Sequence, residues 1–126
     1  MPLIKMAAFD VSNQIMTAFA GERKTAVIGN WVRARGKGVI DGFDYGTSGE
    51  IEKLQTDSIK TVLDNGFIPI FPCIGWSIAG KPYNISSIEL SQQIAINLNA
   101  DKLFFLSNTF YLFQVKYFYL NLPNVR

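Results

Sequence analysis

TDSIKTVLDNGFIPIFPCIGWSIAGKPYNISSIELSQQIAINLNADKLFFL, residues 56–106, decides the fold, because helix and strand signals alternate along it. Thr56 is placed to cap a helix, Asp57 suits its first turn, and Ile59, Val62 and Leu63 recur on one face. Asn65-Gly66 stops that helix. Phe67 to Ile74 is a nearly continuous apolar run, the pattern of a strand buried on both faces, and Pro69 and Pro72 predict irregularity within it. After a turn at Gly80 and Pro82, Ser86-Ser87-Ile88-Glu89 has capping-box spacing, and Leu90, Ile94 and Leu98 carry a second helix to about Asn99. Leu103 to Leu106 predicts another buried strand.

Upstream, Ala7, Ala8, Val11, Ile15 and Phe19 recur at helical spacing, and Gly21 is placed to end that helix. Thr25 to Ile28 and Trp31 to Arg35 are strand-like. Gly36, Gly38 and Gly42 punctuate a turn around Val39-Ile40, so Trp31 to Phe43 reads as a hairpin, with a loop through Gly46 and Gly49 before Glu50-Ile51. Strands and helices in alternation from Thr25 to Leu106 predict an α/β fold with right-handed crossovers in a parallel sheet. From Thr109 to Leu120 six aromatic residues crowd around Gln114 and Lys116, a strand-prone tail with no turn residue before it.

The 126 residues suffice for one modest domain, and 48% hydrophobic content excludes global disorder. Charged residues at 17% are sparse and aromatics at 13% generous, which points to surface that something else covers. A net charge of +2 gives no ground for a nucleic-acid partner, and no apolar run reaches the ~18 residues that span a bilayer, so no membrane is expected. With no histidine and one cysteine, neither a Ser-His-Asp nucleophile nor a Cys/His zinc site can be assembled. The single Cys73 fits a reducing cytoplasm and reads as an inert core thiol.

Gly36-Lys37-Gly38 and Gly42 give GxGxxxG without a following helix to hold a pyrophosphate, so a hairpin turn is the better reading. Arg33, Arg35 and Lys37 alternate and share one face of a strand, where they could hold an anion or form a solvated face. Asp41, Asp44 and Glu50 could bind Mg²⁺ or do acid–base work, but exposed turn residues have the same composition. Asn84 sits at a strand-to-helix junction, where parallel α/β sheets bind ligands, and asparagine is also a common turn residue.

The run from Gly29 to Ser107 resembles the central stretch of the amino-acid kinase superfamily. Gly49-Glu50-Ile51, the helix ending LDNGFIPI, and Tyr83-Asn84 are similar to N-acetylglutamate kinases and to the kinase-like domain of N-acetylglutamate synthases. GNWVRAR and GVIDGFDYG resemble the synthase branch specifically. The resemblance implies a three-layer αβα sandwich, of which residues 1–108 are a part and residues 109–126 a divergent aromatic tail. It implies that Asn84 contacts an acetylglutamate- or arginine-type ligand at the start of the following helix, with Arg33 or Arg35 closing over it. The kinases' catalytic aspartate falls on Ile88, which accepts no hydrogen bond from an ammonium group.

A regulatory, arginine-sensing fragment without catalysis of its own is therefore expected, with no catalytic residue and no metal in this chain. No cofactor is expected either: acetyl-CoA would belong to a separate acetyltransferase domain, and ATP only to a kinase-like phosphotransferase. A non-catalytic oligomerising module is the further alternative. The tail, with hardly room for a return loop, predicts a homo-oligomer built by strand pairing with a second copy.

Overall fold

The computed structural model describes residues 2–108 and 113–119, the latter by their strand pairing. Helices α1 (Pro2–Gly21), α2 (Thr56–Asp64) and α3 (Ser87–Asn97) alternate with strands β1 (Ala26–Ile28), β2 (Val32–Gly36), β3 (Val39–Ile40), β4 (Phe43–Asp44), β5 (Gly49–Leu54), β6 (Ile68–Ile70), β7 (Ile74–Trp76), β8 (Pro82–Asn84), β9 (Lys102–Asn108) and β10 (Phe113–Tyr119). The α/β expectation holds. Two compact units divide the chain, Met1–Ser87 and Ile88–Arg126.

All three described helices end alike, in a left-handed residue whose own amide and the next one reach back to the last turn. Arg23 (φ 59), Gly66 (φ 78) and Asn99 (φ 52) take that conformation. The bonds Lys24 N–H to Phe19 C=O, Phe67 N–H to Val62 C=O and Ala100 N–H to Ala95 C=O close the ends at 2.9, 3.1 and 2.9 Å. The stop at Gly66 matches its sequence signal. Gly21 is the last residue of α1, as expected, and the left-handed residue that closes this end is Arg23. At the start of α2 the N-cap position belongs to Gln55 and carries no side-chain bond; Thr56 is the first helical residue. Ile59 is fully buried, whereas Leu63, expected on the apolar face, is exposed.

In the first unit β1 and β6 pair in parallel, and a second sheet has the order β5-β2-β7-β8. β2 runs parallel to β7 and antiparallel to β5. The apolar run Phe67–Ile74 is not one strand: it breaks at Phe71-Pro72-Cys73, so that β6 and β7 serve different sheets. Pro72 lacks the N–H for a ladder and Cys73 is left-handed (φ 58), which explains the break. The hairpin reading of Trp31 to Phe43 is also corrected. β2 pairs with β5, and the residues between them form a separate small hairpin, β3 with β4, turning through Asp41 (φ 51) and Gly42 (φ 78). β5 lacked a strand signal because GEIEKL mixes charges into a strand covered on one face only.

Val32, Ala34, Leu54, Ile70, Ile74 and Ile85 form the buried centre of this unit with Trp31, whose ring lies against Phe71 at 5.1 Å. Close approaches fix how β7 and β8 sit on their neighbours. A Cβ at Gly75 would come within 2.6 Å of Ala34 Cβ, and one at Gly36 within 2.8 Å of the Tyr83 ring. Gly49, paired with Gly36, would place a Cβ 2.6 Å from Tyr83 Cβ.

In the second unit α3 buries Leu90 and Ala95. β9 pairs antiparallel with β10 from Asn108–Phe113 to Lys102–Tyr119. Leu106 is 77% exposed, so β9 is not the buried strand expected. Within this chain the tail's strand β10 has β9 as its partner, whereas pairing with a second copy was expected.

Three substitutions test this packing by chemical denaturation. Ile59→Ala removes a fully buried branched side chain and should cost about 2–5 kcal/mol. Gly75→Ala forces one backbone-mounted methyl against another and should cost at least 1–3 kcal/mol, roughly the range for overpacking. Gly36→Ala meets only the movable end of Tyr83, so its cost should be smaller and should fall further in a Tyr83→Ala background.

Candidate functional site

Strand β2 divides its side chains between two faces. Val32 and Ala34 are buried, while Arg33 is partly exposed and Arg35 exposed on the opposite face. Arg33 Nη1 donates to the Asn30 carbonyl at 2.6 Å, and its backbone lies opposite Lys53 on β5 and Trp76 on β7. Arg35 pairs with Glu50 at 3.5 Å; with the side chains 66% and 43% exposed, solvent screens that ion pair. Lys37 continues the row just beyond β2, its Nζ lying 5.6 Å from the centre of the Tyr45 ring.

Asn84, the last residue of β8, is held by main-chain bonds on two sides. Its register partner on β7 is Ile74, and its N–H donates to the Thr47 carbonyl at 2.8 Å in a parallel bridge with Ser48. Ser48 in turn lies opposite Lys37, whose N–H donates to the Ser48 carbonyl at 3.0 Å. Bridge partners share a face of a sheet, so Lys37, Ser48 and Asn84 stand in one row across three adjacent segments. With strands ~4.8 Å apart, the row's outer backbones are roughly 10 Å from each other.

Arg33, Arg35 and Asn84 thus share a face, as the alternation of β2 predicted for the two arginines. The register does not make Arg33 a neighbour of Asn84: it is level with Trp76, whereas Asn84 is level with Ile74. Lys37 is the cation in line with Asn84. Thr47 and Ser48 escaped the sequence reading because two small hydroxyl residues between glycines carry only a loop signal.

The remaining candidates have structural roles. Asp41 forms the hairpin tip, Asp44 accepts a bond from the Gly46 N–H at 2.8 Å, and Glu50 is the partner of Arg35. Among the described residues no group of acidic, cysteine or histidine side chains could hold a metal ion. Gly36 accommodates the Tyr83 ring and Gly38 (φ 68) serves the hairpin, so the glycine spacing reflects packing and not a phosphate loop. Cys73 is half-buried, and burial pushes its thiol up. It lines an open apolar groove of about 520 Å³ between α1 and residues 70–73, walled by Ile4, Val11, Ile15 and Phe71. Ile88, the second residue of α3, is 59% exposed. No described helix is long and apolar enough to cross a membrane.

The chain is similar to an amino-acid acetyltransferase of Aeromonas salmonicida, 33% identical over 106 residues that make up 80% of this chain and 24% of that protein. The Vibrio vulnificus amino-acid acetyltransferase is 40% identical over 87 residues, 69% of this chain and 20% of that one. Among solved structures, N-acetylglutamate synthase from Neisseria gonorrhoeae complexed with coenzyme A and N-acetyl-glutamate matches with a TM-score of 0.74 and 32% identity, over 79% of this chain and 24% of that chain. Its complex with coenzyme A and L-arginine matches with a TM-score of 0.58 and 34% identity, over 62% and 18%. This chain therefore spans between 18% and 24% of the length of these relatives. The profile of the amino acid kinase family matches residues 4–110, and the chain belongs to that family.

Proposed function

We propose that this chain is part of the kinase-like, arginine-sensing domain of an N-acetylglutamate synthase of arginine biosynthesis, acting by ligand binding and not by catalysis of its own. The observation that carries the reading is the placement of Asn84: its backbone is locked to β7 and to residues 47–48, and its half-buried side chain shares a face with Arg33 and Arg35. A rigidly held amide beside a row of cations suits a small carboxylate ligand. The Neisseria relative, crystallised with N-acetyl-glutamate and with L-arginine, supplies the ligand types. Acetyl transfer and coenzyme A binding belong, on this reading, to a full-length synthase, and the cytoplasm is its setting.

The kinase alternative requires charge positioned around a transferring phosphoryl group. An exposed isoleucine at position 88 supplies none. A thermal-shift series with N-acetylglutamate, arginine, ATP and acetyl-CoA should raise the melting temperature with one of the first two and leave it unchanged with the others. Asn84→Ala should weaken N-acetylglutamate binding by about tenfold or more, the loss of a hydrogen bond to a charged group. A coupled assay should detect no phosphorylation of acetylglutamate. Turnover above buffer that Asn84→Ala abolishes would establish the kinase reading instead.

A further inference from the structure

The cations on the site's face differ in what already engages them. Arg35 has a carboxylate partner in Glu50, and Arg33 donates to the Asn30 carbonyl. Lys37 has neither: its described partner is the Tyr45 ring, which attracts an ammonium group without neutralising it. That ring is itself held edge-on by Phe43, with centroids 4.8 Å apart and planes at 69°. Lys37 is half-buried beside this aromatic pair, so its long side chain has a surface to lie along and loses less freedom when it meets a ligand. The register places it in line with Ser48 and Asn84 on one face.

We infer that Lys37 is a specificity-determining residue, supplying the cation for the side-chain carboxylate of a small dicarboxylate ligand whose other polar end is held at Asn84 and Ser48. The inference rests on the site proposed above and assigns within it a residue other than Arg33 or Arg35. The row gives an amide that donates and accepts, a hydroxyl that does both, and an ammonium group that only donates. The spacing of roughly 10 Å between the outer backbones leaves room for a chain of a few carbons once the side chains turn inward.

The test is isothermal titration of the chain and its variants with N-acetylglutamate and with N-acetylglutamine, which has the same length and no side-chain charge. Lys37→Gln should weaken N-acetylglutamate about tenfold or more, as expected for loss of a charge-assisted bond, and leave N-acetylglutamine within about twofold. Lys37→Arg should restore most of the affinity. Equal melting temperatures across the variants would show that folding is intact, and Lys37→Arg serves as the folded comparison if Lys37→Gln melts early. If the wild type binds N-acetylglutamate, Asn84→Ala loses it and Lys37→Gln does not, the assignment of Lys37 is overturned while the site stands. If the wild type binds neither compound, the site reading and this inference fall together.

Discussion

The ring of Tyr83 lies over a pair of glycines, Gly36 on β2 and Gly49 on β5, that face each other across the ladder. A Cβ at Gly49 would meet the Tyr83 Cβ, and one at Gly36 the movable end of its ring, so the bare backbone at both positions gives Tyr83 its place. Gly75 does the same on β7, letting the methyl groups of Ala34 and Val32 and the Cγ1 methylene of Ile85 close over bare backbone. Much else in the first unit follows from these three absent side chains. They allow β8 to bond to β7 on one side and to residues 47–48 on the other, which sets Asn84 at the seam.

That seam concentrates rigidity where a ligand contact needs it. Asn84 is fixed by main-chain bonds, which no surface substitution removes, while the apolar side chains on the opposite face anchor the same strands in the core. Catalytic or binding groups held by their backbone lose little entropy when a ligand arrives. The arginines of β2 are placed with equal regularity by the pleat, but their side chains engage a carbonyl and a carboxylate already.

Most elements were legible because their signals were local. The periodicity of α1, the Asn65-Gly66 stop and the capping residues before α3 all lie within one turn of what they specify. The failures were long-range. Nothing within Trp31–Phe43 reveals that β2 takes Gly49–Leu54 as its antiparallel partner, since that partner lies beyond it in the chain. The split of Phe67–Ile74 was half visible: the prolines foretold a break, but not that its two parts join different sheets. At the site, Asn84, Arg33 and Arg35 were legible as residue types at suggestive positions. That Lys37 is the one aligned with Asn84 required the bridge through Ser48, a backbone fact with no sequence signature.

The β3–β4 hairpin projects from between β2 and β5, and Val39, Ile40 and Phe43 on it are exposed, so it contributes nothing to the buried centre. Its base is already closed by the bond from Lys37 to Ser48 and by one from the Tyr45 N–H to the Gly38 carbonyl at 2.9 Å. The hairpin is thus a cassette: its length and composition can change without disturbing the strands that carry it. Because Tyr45 belongs to this segment, descendants of such a chain could retune the surroundings of Lys37 through a few substitutions in a dispensable loop. Ligand preference and fold stability are thereby separated into parts of the sequence that can drift independently.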